Sequence, residues 1–133
     1  GIYGVRERTV LVADTLHAVI AHRWEEECLT TEAGVVKVAD ALDMTEGRSR
    51  IPFEAGKTDI HAISAMAIDR IDIRKGEEVP IAVEIAMNNS AGIFQVDELL
   101  KRKLRNSSIR PYVQVLARIE GETEKRIMEF YTL

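Results

Sequence analysis

Three histidines and one helical aspartate are the residues of this sequence best suited to hold a metal ion. The histidines are His17, His22 and His61, and none of them is followed directly by an aspartate. His17 and His22 are five residues apart, roughly 140° around a helix, so one straight helix cannot aim both at one ion. His22 is the better candidate because it lies at the predicted helix end, although packing or surface roles are the alternative for both. Asp40 is the candidate carboxylate ligand, with a solvated helix position as its alternative.

Basic side chains near Asp40 are candidates for binding phosphate. Lys37 precedes Asp40 by one helical turn, so its ammonium would reach either the carboxylate or a substrate phosphate. Arg48 and Arg50 follow the same predicted helix, and the planar fork of arginine fits phosphate oxygens. The alternative for the two arginines is an ion pair with a nearby carboxylate, of which the sequence offers Asp43, Glu46 and Glu54.

Two further segments could attract anions, but each has a simpler explanation. The turn over 88–92 precedes a predicted helix, whose free N–H groups attract anions, yet strand termination followed by a helix cap accounts for the same residues. Cations at the end of that helix are favoured by the helix dipole. Because no aromatic residues are interleaved with them, nucleic-acid binding is not predicted. These cations are Lys101, Arg102, Lys103 and Arg105, with Arg110 beyond them.

Composition bounds the class of protein. The chain has 133 residues, of which 46% are hydrophobic and 30% charged, an ordinary balance for a globular domain. The net charge of −4 gives no global attraction to nucleic acid or anionic lipid. The single cysteine, Cys28, cannot form an internal disulfide, which fits a reduced, cytoplasmic setting. No apolar run approaches the roughly 20 residues of a membrane helix, and residues 1–6 lack the pattern of a signal peptide.

Two helices are predicted in the first third of the chain. The first spans about 8–23, and five of its apolar residues share one face. The second runs from Thr30 or Thr31, either of which could cap it, to about Thr45. Its main apolar face carries Val35, Val38, Ala39 and Leu42, while Val36 lies on another side. A loop over 46–58 and a short helix over 59–67 follow. The apolar face of the first helix consists of Val12, Ala13, Leu16, Val19 and Ile20.

The remainder of the chain alternates as strands around one helix. Apolar residues at 81, 83, 85 and 87 alternate cleanly with Ala82, Glu84 and Ala86, and residues 113–119 repeat the pattern. Shorter patterns predict strands over 70–74 and 125–131, and Val96, Leu100 and their neighbours predict a helix after the turn. The predicted class is α+β: N-terminal helices over 1–58, followed over 59–133 by an antiparallel β-β-α-β-β module with the helix on one face.

Three stretches resemble an archaeal-type branch of HD-domain metal-dependent phosphohydrolases. The segment VKVADALDM over 36–44 is similar to the closing helix of the HD domain, and it continues as TEGRSRIPFEAGK to Lys57 and IHAISAMAI to Ile68. NNSAGIFQVDELL over 88–100 resembles the same branch, and LHAVIAHRW over 16–24 fits as the preceding helix. The N-terminal helices are therefore expected to be the end of an HD-type helical domain.

The resemblance implies that Asp40 is a metal ligand, but the other ligands of that site do not occur in this sequence. Asp40 matches the last metal ligand of the superfamily, whereas the earlier ligands, a His and an adjacent His-Asp pair, would lie upstream of Gly1. One carboxylate alone holds a divalent ion poorly, since catalytic metal sites use three or more protein ligands. We therefore expect an incomplete site, with Asp40 and His22 as metal ligands and Arg48 and Lys37 stabilising charge, and no hydrolysis by this chain alone.

Two functions follow as hypotheses. The first is part of a phosphohydrolase that acts on phosphate esters or nucleotides, with a phosphate-containing small molecule as its ligand. The second is a non-catalytic module that dimerises through an edge strand or binds a small ligand on its open sheet face. If the helix bearing Asp40 lacks its family neighbours, Val36 and nearby apolar surface lie open. Because such patches favour association, a homodimer or higher oligomer is predicted.

Overall fold

A computed structural model describes residues 2–44, 60–120 and 125–130 of the chain. Two helices come first, α1 (Val5–Ala21) and α2 (Thr31–Leu42), and a short helix α3 (Ile60–Ala65) follows. Of the two candidate caps, Thr30 is the one used, because its Oγ1 accepts from the backbone N–H of Ala33 at 3.2 Å. The predicted loop over 46–58 and the proposed division at residue 58 lie outside the described residues. No helix in the described part is long and apolar enough to cross a membrane.

The second half forms a four-stranded sheet in the order β1-β2-β3-β4. The strands are β1 (Ile68–Lys75), β2 (Ile81–Met87), β3 (Val113–Glu120) and β4 (Lys125–Phe130). Between β2 and β3 lies helix α4, a π-helical segment Gln95–Lys101 followed by the turn Arg102–Arg105. The α+β class and the β-β-α-β-β order of elements are therefore confirmed.

The prediction of an antiparallel sheet is wrong at its centre. β1 pairs with β2 and β3 pairs with β4 in antiparallel fashion, but β2 and β3 are parallel, with Ile81 opposite Val113 and Met87 opposite Ile119. The physical reason is the connection: a parallel pair needs a crossover of a dozen or more residues, usually helical, and α4 with its flanking turns supplies it. The sheet is mixed, and only the order of the elements along the chain is as predicted.

One face of the sheet carries the main core. Val83 and Ile85 of β2 and Val115 and Ala117 of β3 are almost fully buried, as their alternation with polar or small residues predicts. Two helices cover this face, α2 through Val38 and Ala41 and α4 through Val96, Leu100 and Leu104, and Met44, just after α2, joins the same core. Helix α2 thus shares one hydrophobic core with the sheet, and Val38 is confirmed as part of its buried face.

Close approach between α2 and the turn that follows α4 depends on Gly34. A β-carbon at this position would lie 2.3 Å from Oγ of Ser108 and 2.9 Å from Oγ of Ser107. Both serines donate to α2 or its cap: Ser107 to the carbonyl of Gly34 at 3.2 Å, and Ser108 to the carbonyl of Thr30 at 2.7 Å. These bonds fix the position of α2 on the sheet layer.

Helix α1 packs on α2 through small residues. Ala18 and Ala21 of α1 form a second, smaller cluster with Cys28 and Ala33. The predicted apolar face of α1 exists, but it points the other way: Val12, Leu16, Val19 and Ile20 are 56–60% exposed. On α2, Val36 is 42% exposed, which confirms the expected open apolar surface. Val35 and Ala39, predicted on the main apolar face of α2, are exposed as well, because that helix turns Lys37 and Ala41 inward instead.

Candidate functional site

Asp40, the predicted metal ligand, lies on the second half of α2 and faces α4. Its Oδ2 forms an ion pair with Nζ of Lys103. The two side chains are unequally enclosed: that of Lys103 is 11% exposed and that of Asp40 35%. Lys103 is available for this contact because α4 turns it inward together with Leu104, both of which are buried. The partner of Asp40 in the structure is therefore a lysine ammonium on another helix.

Lys37, the predicted phosphate contact, is enclosed within the described part of the protein. Its side chain is completely buried, and its Nζ donates to the backbone carbonyl of Glu26 in the loop between α1 and α2. A buried ammonium must be hydrogen-bonded to offset the loss of water, and the Glu26 carbonyl supplies that bond. In this position Lys37 ties the loop to α2, and its side chain is enclosed rather than offered to a phosphate.

His22 and Asp40, predicted to share a metal, are not brought together. His22 follows the last residue of α1 and hydrogen-bonds through Nδ1 to the carbonyl of Val19, one turn earlier. Asp40 is paired instead with Lys103 of α4, and among the described residues no contact joins it to His22.

His17 has a structural contact instead of a ligand role. Its Nε2 accepts the backbone N–H of Leu29 at 3.0 Å. This bond joins the middle of α1 to the loop that precedes α2 and so stabilises that loop. This agrees with the packing role that was the alternative for His17. Three further candidates, Arg48, Arg50 and the side chain of His61, lie outside the described residues.

The described residues do not fit a divalent metal ion. Such an ion needs several converging donors, but one oxygen of Asp40 is paired with an ammonium and the ring of His22 bonds to its own helix. Across the described ranges, no three His, Cys, Asp or Glu side chains come close enough to hold one together. A lysine beside the carboxylate also repels a cation, because both carry positive charge.

The basic cluster at the end of α4 is largely neutralised. Lys101 pairs with Asp97 at 3.1 Å and Arg102 with Glu98 at 2.9 Å, both one turn earlier on the same helix. Arg102 also stacks over the ring of Trp24, 5.1 Å from its centroid. With Lys103 held by Asp40, these three cations are engaged in contacts within the protein.

The sheet face away from the helices is polar and carries a charged cluster. Glu84 on β2 binds Arg74 on β1, and Arg118 on β3 approaches the same carboxylate at 3.8 Å. Nε of Arg118 is buried and, among the described residues, has no hydrogen-bond partner. This cluster links three neighbouring strands, so its immediate role is to hold the sheet together across the parallel pair.

The turn before α4 has the structure expected of a cap. Asn89 Oδ1 accepts from the N–H of Ala91 at 2.8 Å, at the start of the 3₁₀ turn Ser90–Gly92. Asn88 Nδ2 donates to Asp69 at 2.8 Å, beside the point where the β1–β2 register shifts between Ile68 and Arg70. Strand termination and capping therefore account for the asparagines of this segment.

Lys103 is the residue that sequence reasoning missed. In the sequence it is only one member of a basic cluster at the end of a predicted helix. The usable signal was its spacing: Leu100 lies three residues earlier and Leu104 is the next residue, so Lys103 falls on the inward half of the helix. A lysine there needs a carboxylate partner, and Asp40 on a facing helix is a suitable one.

Comparison with known proteins gives one informative relative. The chain is 46% identical over 123 residues, 92% of its length, to the uncharacterised protein MJ1020 of the archaeon Methanocaldococcus jannaschii. The aligned part is 47% of that relative, so the chain spans about half the length of the curated relative it matches. No family model matches the chain. No solved structure matches it either. The chain is thus similar to an archaeal protein about twice its length.

Proposed function

We propose that this chain is a non-catalytic binding module related to the C-terminal part of HD-type metal-dependent phosphohydrolases. The observation that carries the proposal is the ion pair between Asp40 and Lys103. In the resembled family the matching aspartate is a metal ligand. In this chain its charge is balanced by a lysine of the same protein, so the electrostatic need for a cation at that carboxylate is already met.

Two other predicted site residues, Lys37 and His22, support the same proposal. Lys37 is enclosed and bonded to the loop carbonyl of Glu26, and His22 is bonded to α1. Lys37 therefore stabilises the contact between the loop and α2, and His22 the end of α1. Two exposed surfaces remain for binding a partner: the aliphatic side of α1 and the polar face of the sheet.

Metal binding and turnover test this proposal together. Calorimetric titration with Mn²⁺ and with Mg²⁺ is expected to give no stoichiometric binding to the 133-residue chain. Assays with p-nitrophenyl phosphate and a panel of nucleotides are expected to give no turnover above buffer. Turnover that is abolished by Asp40→Asn would overturn the proposal. The matched control is Asp43→Asn, an exposed carboxylate at the end of the same helix.

A second candidate is a phosphohydrolase completed by further polypeptide. The aligned relative is about twice as long as this chain, and one large apolar side of α1 is exposed. In that arrangement Asp40 and Arg48 would contribute to a site whose other metal ligands come from elsewhere, with a phosphate ester or nucleotide as substrate. Its test is the full-length archaeal relative: metal-dependent release of phosphate by that protein, lost on substitution of the residue aligned with Asp40, would favour it.

A further inference from the structure

A third surface, the outer side of β1, is a free edge of the sheet in the part of the chain that the structure describes. Among the described strands, β1 pairs only with β2. Ile73 lies on the face of β1 that continues the main core, opposite the buried Val83, yet it is 64% exposed. Ile71, on the same face, packs against the core. The core face of the sheet therefore ends at this edge in an aliphatic side chain that is open to water.

The backbone of this edge presents free hydrogen-bonding groups. Gly76 donates to the carbonyl of Pro80 at 3.2 Å where the β1–β2 hairpin closes. Bonded and non-bonded pairs alternate in an antiparallel ladder, so Arg74 and Asp72 bond to β2, and the N–H and C=O groups of the odd-numbered residues point the other way. Such a row of groups binds an added strand. The residues with outward-facing backbone groups are Ile71, Ile73 and Lys75.

We infer that the outer edge of β1, residues 71–75, pairs with the same edge of a second copy of this chain, antiparallel and centred on Ile73. In this register Ile73 lies opposite the Ile73 of the other copy, and Ile71 lies opposite its Lys75. Each outward-facing N–H or C=O group then meets a complementary group across the axis. The exposed Ile73 side chain is covered by its own counterpart, so the edge is complementary to itself, as a twofold interface requires.

Charge on the polar face selects this register over its neighbours. With Ile73 at the centre, Asp72 of each copy lies opposite Arg74 of the other, which gives an opposite-charge pair on either side of the axis. With Asp72 at the centre, the two aspartates would lie opposite each other, and so would Arg70 and Arg74. With Arg74 at the centre, the two arginines would meet on the axis. Like charges directly opposite one another are destabilising.

The register centred on Ile71 is disfavoured for a different reason. It would also pair opposite charges, so charge alone does not decide against it. However, it would place the exposed Ile73 opposite the charged Asp69 instead of opposite an aliphatic side chain. Its ladder would also run into the irregularity of β1 between Ile68 and Arg70. Apolar burial and strand regularity therefore favour the centre at Ile73.

The charged side chains of the edge are placed to take a second partner. Within one chain Asp72 lies opposite Glu84, so two carboxylates adjoin each other. Arg70 pairs with Asp72 at 2.7 Å, and Arg74 pairs with Glu84. The side chains of Arg74 and Asp72 are still 59% and 47% exposed. The Arg74 of a second copy can therefore approach Asp72 and offset the repulsion between the two carboxylates.

The expected affinity is low because the edge is short. Residues 71–75 span about 17 Å of strand, and the contact falls below the roughly 1,000 Å² of a stable interface. The backbone bonds and the two charge pairs must also offset the loss of rotational and translational freedom. We therefore expect a reversible dimer with a dissociation constant on the order of tens of micromolar. This partner deepens the proposed binding role and rests on it.

Small-angle X-ray scattering from micromolar to millimolar concentration tests the dimer. The chain is expected to pass from monomer to dimer in this range. Ile73→Asp is expected to weaken the dimer about tenfold or more, because it places two carboxylates on the axis. Val36→Asp is the matched control: Val36 is 42% exposed and lies on α2, so the dimer should be unchanged. A chain that stays monomeric at millimolar concentration, or a dimer that Ile73→Asp leaves intact, would overturn the inference.

A charge exchange tests the register. Asp72→Arg alone places arginines opposite each other across the axis, and Arg74→Asp alone places aspartates there, so each variant is expected to be monomeric. A mixture of the two chains restores both opposite-charge pairs and is expected to form a mixed dimer. Circular dichroism checks that each variant is folded. Folded variants that dimerise separately, or that do not associate when mixed, would contradict the pairing centred on Ile73.

The two proposals fail separately. Hydrolysis that depends on Asp40 would remove the non-catalytic function while leaving the dimer as measured. A monomeric chain without turnover would remove the β1 pairing while leaving the non-catalytic function in place.

Discussion

The ammonium of Lys103 on α4 pairs with the carboxylate of Asp40 on α2 across the interface between the two helices. Only 11% of the lysine side chain is exposed, so the pair joins α2 to α4 at the edge of the main core. Removing the lysine would leave a partly enclosed carboxylate without its counter-charge. The consequence for stability is larger than for an exposed pair, because less water is available to take the place of the lost partner.

Lys103→Met is therefore expected to lower the free energy of unfolding by about 2 kcal/mol. Asp40→Asn should cost less, since its amide can still accept from the lysine. The double variant should show a coupling of about 1–2 kcal/mol between the two positions. Urea denaturation measures all three. Lys101→Met is the control: its partner Asp97 is exposed on the same helix, so about 0.5 kcal/mol or less is expected. Equal losses for Lys103 and Lys101 would contradict the enclosed pair.

The Thr30 cap gives a second prediction. Its hydroxyl accepts from the N–H of Ala33, and its carbonyl separately accepts from Ser108. Thr30→Ala removes only the side-chain bond and is expected to cost about 1 kcal/mol in the free energy of unfolding. Thr30→Ser keeps the acceptor oxygen and should retain most of it. A thermal melt of both variants distinguishes the cap from a general sensitivity of this loop, because in the latter case the two would lose stability equally.

The sequence predicts which face of each central strand is buried, but it does not predict which side of α1 packs on α2. Alternation at 81–87 and 113–119 reports directly which face is buried, and the structure has Val83, Ile85, Val115 and Ala117 inside. In α1, periodicity located a real aliphatic stripe but could not say what would cover it. The side that packs on α2 uses Ala18 and Ala21, whose small size allows close approach but gives a weak hydrophobic signal.

The pairing of β2 with β3 and the partner of Asp40 depend on long-range contacts. A strand, a helix and a strand are compatible with either a parallel crossover or two separate hairpins, and only the sheet order decides between them. Lys103 and Asp40 are 63 residues apart in sequence, so nothing local joins them. Apolar periodicity placed Asp40 on a helix, as the structure has it, but the neighbours of its side chain depend on the packing of α4.

Gly34→Ala is expected to destabilise the protein although alanine favours helices. The new β-carbon would lie 2.3 Å from Oγ of Ser108, and the strain of overpacking, about 1–3 kcal/mol, exceeds the gain in helix propensity of about 1 kcal/mol. Urea denaturation of Gly34→Ala, Ser108→Ala and the double variant tests the cause. The double variant should lose less than the sum of the two single losses, because removing Oγ makes room. Strict additivity would show that the contact with Ser108 is not responsible.

Lys37→Met distinguishes a structural lysine from a phosphate ligand. The methionine fills similar space but leaves the carbonyl of Glu26 without its donor, so a loss of about 1–3 kcal/mol is expected. Lys75→Met, the same change at an exposed strand residue, should have little effect. Inorganic phosphate is expected to leave the melting temperature of the wild-type chain unchanged. A rise with phosphate that disappears in Lys37→Met, together with unaltered stability in its absence, would instead assign Lys37 to a ligand site. The buried geometry predicts the opposite, because the ammonium is enclosed and already bonded to the loop.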